Sequence, residues 1–218
     1  MSMLKQRFIH FFFVLSGRVF FQRNTYNTKR FWKRAVVILP WYLMGMACAT
    51  LDLFFVGYLF LVIMRLTQRN GRKLSSNELA LFSNLPEELP YLKTVWVYEK
   101  SWVARAGMWM TRRKSLGLGL GNTVHFSREI DLTKQADVHW FVHEMAHTLQ
   151  FKYRGLIYIP EALIAQQFSG YSFGGIKTLK QVSILRAFNP EQQAEIFAAT
   201  QLSTIESEIR KDIENGNW

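Results

Sequence analysis

One segment limits the possible folds of this chain more than any other. Residues 35–64, AVVILPWYLMGMACATLDLFFVGYLFLVIM, contain a single carboxylate, Asp52. About twenty apolar residues already cross a bilayer core, so the sequence predicts a transmembrane helix over 35–66, as one tilted span rather than a hairpin of two short ones. An ionised carboxylate in mid-membrane is costly. Asp52 is therefore either a partner contact or a protonated or helix-paired acid.

The charge distribution favours a membrane surface over nucleic acid as the partner. Lys and Arg number 27 against 16 Asp and Glu, a net charge of +11, but many of the basic residues flank the apolar segment instead of forming one stripe. Side chains at such positions reach anionic lipid headgroups. We expect contacts with membrane lipid through the helix and its flanks, and no nucleic-acid partner. The flanking residues belong to the run 23–34 and to the cluster Arg65, Arg69, Arg72 and Lys73.

The chain is long enough for one soluble domain in addition to this segment. Short runs of β-branched and aromatic residues predict strands at 94–99 and 122–127, and 133–154 is typical of a long helix. Two more helices are predicted near the C-terminus, the last opening at Asn189-Pro190. The predicted fold class is α+β, mostly helical. The expected organisation is a basic N-terminal segment (1–34, in which 8–21 is an interfacial helix or a retained signal-like region), the transmembrane helix (35–66), a linker with a short helix (67–90) and a soluble domain (91–218).

The motif HEMAH at 143–147 lies in the middle of the predicted helix 133–154. His143 and His147 stand one turn apart on one face, so both imidazoles can bind one tetrahedral zinc, with Glu144 beside a water that the zinc activates. Zinc lowers the pKa of such a water from about 16 to about 7, and a carboxylate can pass the proton to a leaving amine. The alternative interpretation is a pair of ordinary core histidines. The only cysteine lies in the apolar segment, so further ligands must be His, Asp or Glu.

With these residues the chain resembles the gluzincins, zinc metallopeptidases whose third ligand is a Glu from a later helix. The resemblance covers roughly 120–200. In FNPEQQAEIF it implies that Glu191 binds zinc and that Glu195, four residues on, orients a ligand imidazole. Glu161 is the competing third ligand, because YIPEALIAQ resembles the W-x-x-E-G-x-A segment of other gluzincins, with Ala162 in place of Gly. Acids also favour the first turn of a helix without any metal, which is the other explanation of Glu191.

A metzincin would have Gly and His where this chain has Gln150 and Tyr153, so that branch is excluded. The chain is also similar to certain uncharacterised bacterial zincin-like proteins with an E-Q-Q-A stretch. The resemblance implies a zincin-like domain with a small sheet and an active-site helix, in a single-pass protein of the bacterial inner membrane. The basic residues on the two sides of the span differ too little to fix its orientation, and we prefer a periplasmic zinc domain.

The function predicted is that of a membrane-anchored zinc metallopeptidase with Glu144 as general base. The alternative is a catalytically inactive, membrane-tethered binding or assembly protein with a structural zinc, and a third possibility is a lipid-surface protein without metal. An extended peptide substrate would pair with an edge strand at 122–127, and the glycines of LGLGLG would allow close backbone approach or tight turns. His139 is expected in core packing or beside a ligand. Candidate oxyanion stabilisers are His125, Tyr153, Tyr158 and Tyr171.

Overall fold

The fold is α+β and mostly helical, as predicted, with one small sheet. The computed structural model describes residues 11–12, 31–54, 56–68, 70–168, 172 and 188–202. The helices are α1 (Phe31–Leu53), α2 (Val56–Thr67), α3 (Ser76–Ala80), α4 (Leu89–Leu92), α5 (Trp102–Thr111), α6 (Gln135–Arg154), α7 (Tyr158–Phe168) and α8 (Pro190–Leu202). The strands are β1 (Arg72–Lys73), β2 (Trp96–Tyr98), β3 (Gly117–Leu120) and β4 (Thr123–Phe126), and a 3₁₀ turn, Gly155–Ile157, joins α6 to α7.

The sheet is mixed and has the strand order β1-β2-β4-β3. β2 and β4 are parallel, with Val97 opposite Val124. β3 leads into β4 through a turn at Gly121, where φ is 63°, and the two strands are antiparallel. β2 and β4 confirm the strands predicted at 94–99 and 122–127. β4 is central, however, and β3 is an edge strand.

Helix α6 is the centre of the domain. Its buried face carries Phe141, Met145 and Leu149, which pack with strand residues such as Phe126 and with Phe197 of α8. The predicted helix 133–154 is confirmed, beginning two residues late. The helix ends at Arg154, and the next residue, Gly155, has a φ of 65°. A positive φ of this kind favours glycine. This packing fixes α6 between the sheet and α8.

The structure does not support the single helix predicted over 35–66. The chain turns at Phe54 and forms two helices, α1 and α2. α1 packs on the 3₁₀ turn and on α7, where Ala49 and Met46 join a cluster with Ile157 and Ile164. Hydropathy alone cannot distinguish side chains covered by lipid from those covered by protein. Within the described residues, none of the helices combines the length and apolar character that crossing a membrane requires.

Two other predicted segments have separate outcomes. The segment 67–90, expected as a linker with a short helix, does contain α3, and its Phe82 and Leu85 are buried in the core around α6. Apart from Phe11 and Phe12, the predicted interfacial segment 8–21 lies outside the described residues.

Candidate metal centre

The two histidines of the HExxH motif lie side by side on α6. His143 and His147 have ring centroids 5.1 Å apart and rings inclined at 81°. Both side chains are buried, and both line a cleft of about 370 Å³ between β3, α7 and α8. The helix periodicity that suggested a shared metal has therefore placed both imidazoles at one opening.

Glu191, in the first turn of α8, completes the cluster. Its Oε2 lies 3.4 Å from Nε2 of His143, and its Oε1 lies 3.6 Å from Nε2 of His147. Two ligand atoms that are each about 2.0–2.1 Å from a tetrahedral zinc lie about 3.4 Å from each other, so the separations suit a shared ion. Oε2 is buried and has no hydrogen-bond partner among the described residues, which leaves it available to a cation. His143, His147 and Glu191 form the group of potential metal ligands found in that part of the chain.

The competing ligand, Glu161, is directed elsewhere. It is buried on α7, but it does not line the cleft and is not part of the ligand cluster. Its carboxylate forms an ion pair with the guanidinium of Arg154 at the end of α6. Of the two acids proposed from the sequence, the geometry favours Glu191.

Each ligand imidazole is oriented through its second nitrogen. Nδ1 of His143 donates to Oε2 of Glu195 at 3.2 Å, and Nδ1 of His147 donates to Oε1 of Gln150 at 2.8 Å. With Nδ1 protonated, Nε2 keeps its lone pair, and it is Nε2 that faces Glu191. Such contacts fix the tautomer and the ring orientation of metal-binding histidines.

Glu195 and Gln150 also connect the centre to its surroundings. The second oxygen of Glu195 lies 3.1 Å from Nε2 of His139, so Glu195 contacts both His139 and His143. The Gln150 amide donates to the Pro190 carbonyl at 2.9 Å and to Oε1 of Gln193 at 3.2 Å. α6 is thereby linked to the start of α8, the turn that carries Glu191.

Glu144 reaches the same cleft from between the two histidines. It is buried, and its Oε1 accepts a hydrogen bond from Nε1 of Trp140 at 3.2 Å. Burial raises the pKa of this carboxyl, and the neighbouring His147 and His143 oppose that effect without cancelling it. A carboxyl with a raised pKa beside three candidate metal ligands is of the kind that can serve as a general base.

The remaining electrostatics concern the three candidate ligands, His143, His147 and Glu191. Burial disfavours the charged form of His143, but the adjacent carboxylates of Glu191 and Glu195 outweigh burial and raise its pKa to about 10. The pKa of His147 is raised as well, because Glu191 outweighs the cost of burial. Glu191 itself is buried, yet the two imidazoles lower its pKa. Positive charge is therefore strongly stabilised where three ligand atoms converge.

Strand β3 passes unusually close to α6, and its glycines make this possible. A Cβ on Gly117 would lie 2.4 Å from Oε1 of Glu144, and one on Gly119 would lie 2.6 Å from Cβ of His147. The alternating glycines of LGLGLG thus allow the strand to approach α6. The hydroxyl of Tyr158, whose ring stacks on His147, donates to the carbonyl of Gly119 and ties the same strand to α7.

Several residues considered from the sequence lie away from the centre. His125 is fully buried, stacks on Tyr98 and contacts Ser101 and Thr123 through its two ring nitrogens. Burial lowers its pKa to about 4. Tyr153 donates to Glu88 at the far end of α6. His125 and Tyr153 do not line the cleft, whereas Tyr158 does, and Tyr171 lies outside the described residues.

The strand predicted to receive a peptide is also corrected. β4, within 122–127, has partners on both sides. β3 is the edge strand that lines the cleft. It was not predicted as a strand, because glycine lowers strand propensity. Trp140 and Gln150 were not predicted to serve the site, although their spacings of four from Glu144 and three from His147 are those of side chains that meet on a helix.

Comparison of the chain with protein-family models, curated proteins and solved structures finds no match.

Proposed function

We propose that this chain is a zinc metallopeptidase of the gluzincin type, which hydrolyses peptide bonds with Glu144 as general base. The observation that supports this most strongly is the presence of three convergent ligands and a separate carboxylate at one open cleft. A structural zinc site is closed by four protein ligands, whereas a hydrolytic site has three and leaves one position for water or substrate. Three ligands are found within the described residues, which favours the hydrolytic type.

The roles follow from the contacts. His143 and His147 would hold the ion through Nε2, and Glu191 through its carboxylate. A zinc ion held there would supply Lewis-acid chemistry, lowering the pKa of a water and polarising a substrate carbonyl. Glu144 accepts a proton at its carboxylate and returns it to the leaving amine. Trp140 keeps the Glu144 side chain in place by donating to its Oε1.

The edge strand suggests how a peptide binds. Residues Gly117–Leu120 line the cleft, and the side of β3 away from β4 has no strand partner within the described residues. An extended peptide can add to such an edge through main-chain hydrogen bonds. The bound peptide would then pass Glu144 and the ligand cluster. Both lie close to β3 because the glycines of this strand leave room for them.

The same two-histidine, one-carboxylate set also holds ferrous iron in oxygenases. Glu144 favours hydrolysis, because a carboxylate held beside the ligands is what proton transfer from water requires. The alternative of a structural zinc in an inactive tethered protein predicts bound metal without turnover. Metal content and hydrolysis therefore have to be measured separately.

The ligand assignment is tested with two matched variants of the full chain. Loss of a residue that only orients a ligand costs about 10-fold to 100-fold in metal affinity, and Glu191→Gln should reduce zinc affinity by at least this much. The affinity is measured by competition with a chromophoric chelator after metal removal. Glu161→Gln changes another buried glutamate on a neighbouring helix and should retain zinc at a stoichiometry of about one. Wild-type affinity in Glu191→Gln, or loss of zinc only in Glu161→Gln, would overturn the assignment.

The catalytic role is tested with Glu144→Gln, which keeps the size of the side chain and its contact with Trp140. This variant should bind zinc as the wild type does and lose about 10²-fold to 10⁴-fold in turnover. Cleavage is followed by mass spectrometry on a mixed peptide library incubated with the zinc-loaded full chain. Equal cleavage by the zinc-loaded variant would remove Glu144 from the mechanism, and zinc binding without any cleavage by the wild type would favour the structural alternative.

A further inference from the structure

Helix α5 presents large apolar side chains to solvent at the edge of the domain. Trp102, Ala106 and Trp109 lie at i, i+4 and i+7, on one exposed face, and Met110 adjoins it. The opposite face is covered, since Ala104 is buried and Gly107 packs against Leu116. Trp109 is 84% exposed, far more than an isolated aromatic in a soluble domain usually is.

Helix α2 carries a second exposed apolar face. Leu59, Val62, Ile63 and Leu66 follow the i, i+3, i+4, i+7 spacing of one helix face, and all four are exposed, while Met64 on another face is buried. This is the reverse of the usual arrangement, in which the apolar stripe faces the core.

The two helices are connected at their ends. Gln68, directly after α2, accepts a hydrogen bond of 2.8 Å from Oγ of Ser101, the N-cap residue of α5. Leu66 lies two residues before Gln68, and Trp102 directly follows Ser101, so this contact joins the chain close to both exposed faces. Exposed apolar residues grouped on a helix face are characteristic of an interaction site.

The charges around α5 select the kind of partner. The segment 102–116 has four basic residues and no acidic one, and Arg105, Arg112, Arg113 and Lys114 are all exposed. Tryptophans combined with cations are the side chains that settle at the boundary between headgroups and acyl chains. A bilayer with anionic lipid offers both an apolar layer for the rings and phosphates for the cations.

We propose that the exposed face of α5, with Arg112 and Lys114 after it, docks onto the surface of an anionic bilayer, together with the exposed apolar face of α2. Docking does not depend on the zinc site. If the proposed hydrolysis also holds, docking specifies the substrates, because Arg113 and Ser115 line the cleft. The cleft would open at the lipid surface, and its substrates would be polypeptides held at or emerging from the membrane.

A probe at position 109 tests the docking directly. Cys48 is the only cysteine, so a Cys48→Ser background allows Trp109→Cys to be labelled with an environment-sensitive fluorophore in the full chain. Emission should shift to shorter wavelength with vesicles of phosphatidylcholine and phosphatidylglycerol, and much less with phosphatidylcholine alone. A label at Glu87→Cys should not shift. Glu87 is exposed, and the next residue, Glu88, contacts Lys152 and Tyr153. These two residues lie about 20 Å along α6 from Trp140, which lines the cleft.

A charge variant supplies the matched comparison. Arg112→Gln/Lys114→Gln should weaken partitioning of the α5 probe onto anionic vesicles roughly 30-fold, since each basic residue near the surface contributes about fivefold. Lys93→Gln/Lys134→Gln removes the same net charge elsewhere and should leave the probe response close to that of the parent. Absence of a shift, an equal shift on neutral vesicles, or equal responses in the two double variants would overturn the proposal. A shift that needs no vesicles and grows with protein concentration would also overturn it, in favour of a second copy of the chain as the occupant.

Discussion

Gly119→Ala should damage the metal centre although the residue is not a ligand. The added Cβ would lie 2.6 Å from Cβ of His147 and 2.7 Å from the carbonyl oxygen of Glu144. Neither neighbour can rotate away, because one is fixed to the backbone and the other belongs to it. Ordinary contact begins at 3.4 Å, so strand and helix must separate by about 0.8 Å. Overpacking of this kind costs about 1–3 kcal/mol, and a displacement near 1 Å at a reactive site can lower the rate about 10²-fold.

Gly107→Ala is the control for that substitution. Its Cβ would meet Cδ2 of Leu116 at 2.5 Å, but this is the far end of a flexible side chain, and Ala stabilises a helix interior by up to about 1 kcal/mol relative to Gly. We expect Gly119→Ala to lower both the urea midpoint and the zinc affinity, while Gly107→Ala leaves the affinity unchanged and the midpoint equal or higher. Wild-type zinc affinity in Gly119→Ala would refute the idea that the strand spacing supports the ligands.

Three further outcomes are expected. Gln150→Leu leaves the Nδ1 of a buried ligand imidazole without an acceptor, and zinc affinity in a competition titration should fall about 10-fold to 100-fold; an unchanged value would exclude an orienting role. In the metal-free chain, the pKa of His143 is about 10, so its ion pairs stabilise the fold fully below 6.5, and this stabilisation disappears as pH rises through 10. The pKa of Glu195, lowered to about 2 by its hydrogen bonds with two histidines, adds stability above 4.5 that is lost as pH falls through 2. The thermal midpoint measured in chelator should therefore be highest between pH 4.5 and pH 6.5, where both contributions are complete. A steady rise of the midpoint up to pH 9 would contradict the reasoning. Asp137→Asn removes the charge that two guanidinium nitrogens of Arg128 contact, and the unfolding free energy in urea should fall by about 1–3 kcal/mol, whereas an unchanged midpoint would show that the pair is energetically neutral.

Much of the centre could be predicted from local spacing. His143, Glu144 and His147 lie within one helix, whose geometry fixes which side chains share a face. Glu191 and Glu195 could be proposed only as candidates, because nothing in the sequence measures the distance from α8 to α6. That distance depends on packing between residues far apart in the chain, such as Phe141 and Phe197. The choice of Glu191 over Glu161 became possible only when Arg154 was found beside the latter.

Two features of the fold depend on the surroundings of a residue more than on its own preference. Hydropathy does not show which apolar residues of 35–66 pack on the domain, and glycine has a low strand propensity. Ala49 is buried against Ile157 of the domain itself, and Gly119 lies in a strand that passes so close to α6 that a side chain has no room. Periodicity and propensity carry no information about what covers a residue.

The connection between α6 and α8 has a mechanical consequence. An ion held by His147 and Glu191 would cross-link positions more than forty residues apart in the chain, in the manner of a reversible clip. At a free zinc concentration of 100 Kd, such binding stabilises the folded state by about 2.7 kcal/mol. Removing it leaves α8 held by side-chain packing and by the amide of Gln150. The zinc concentration would then determine how stably α8 is held against α6. Protection of the α8 amides against hydrogen exchange would increase with the metal concentration.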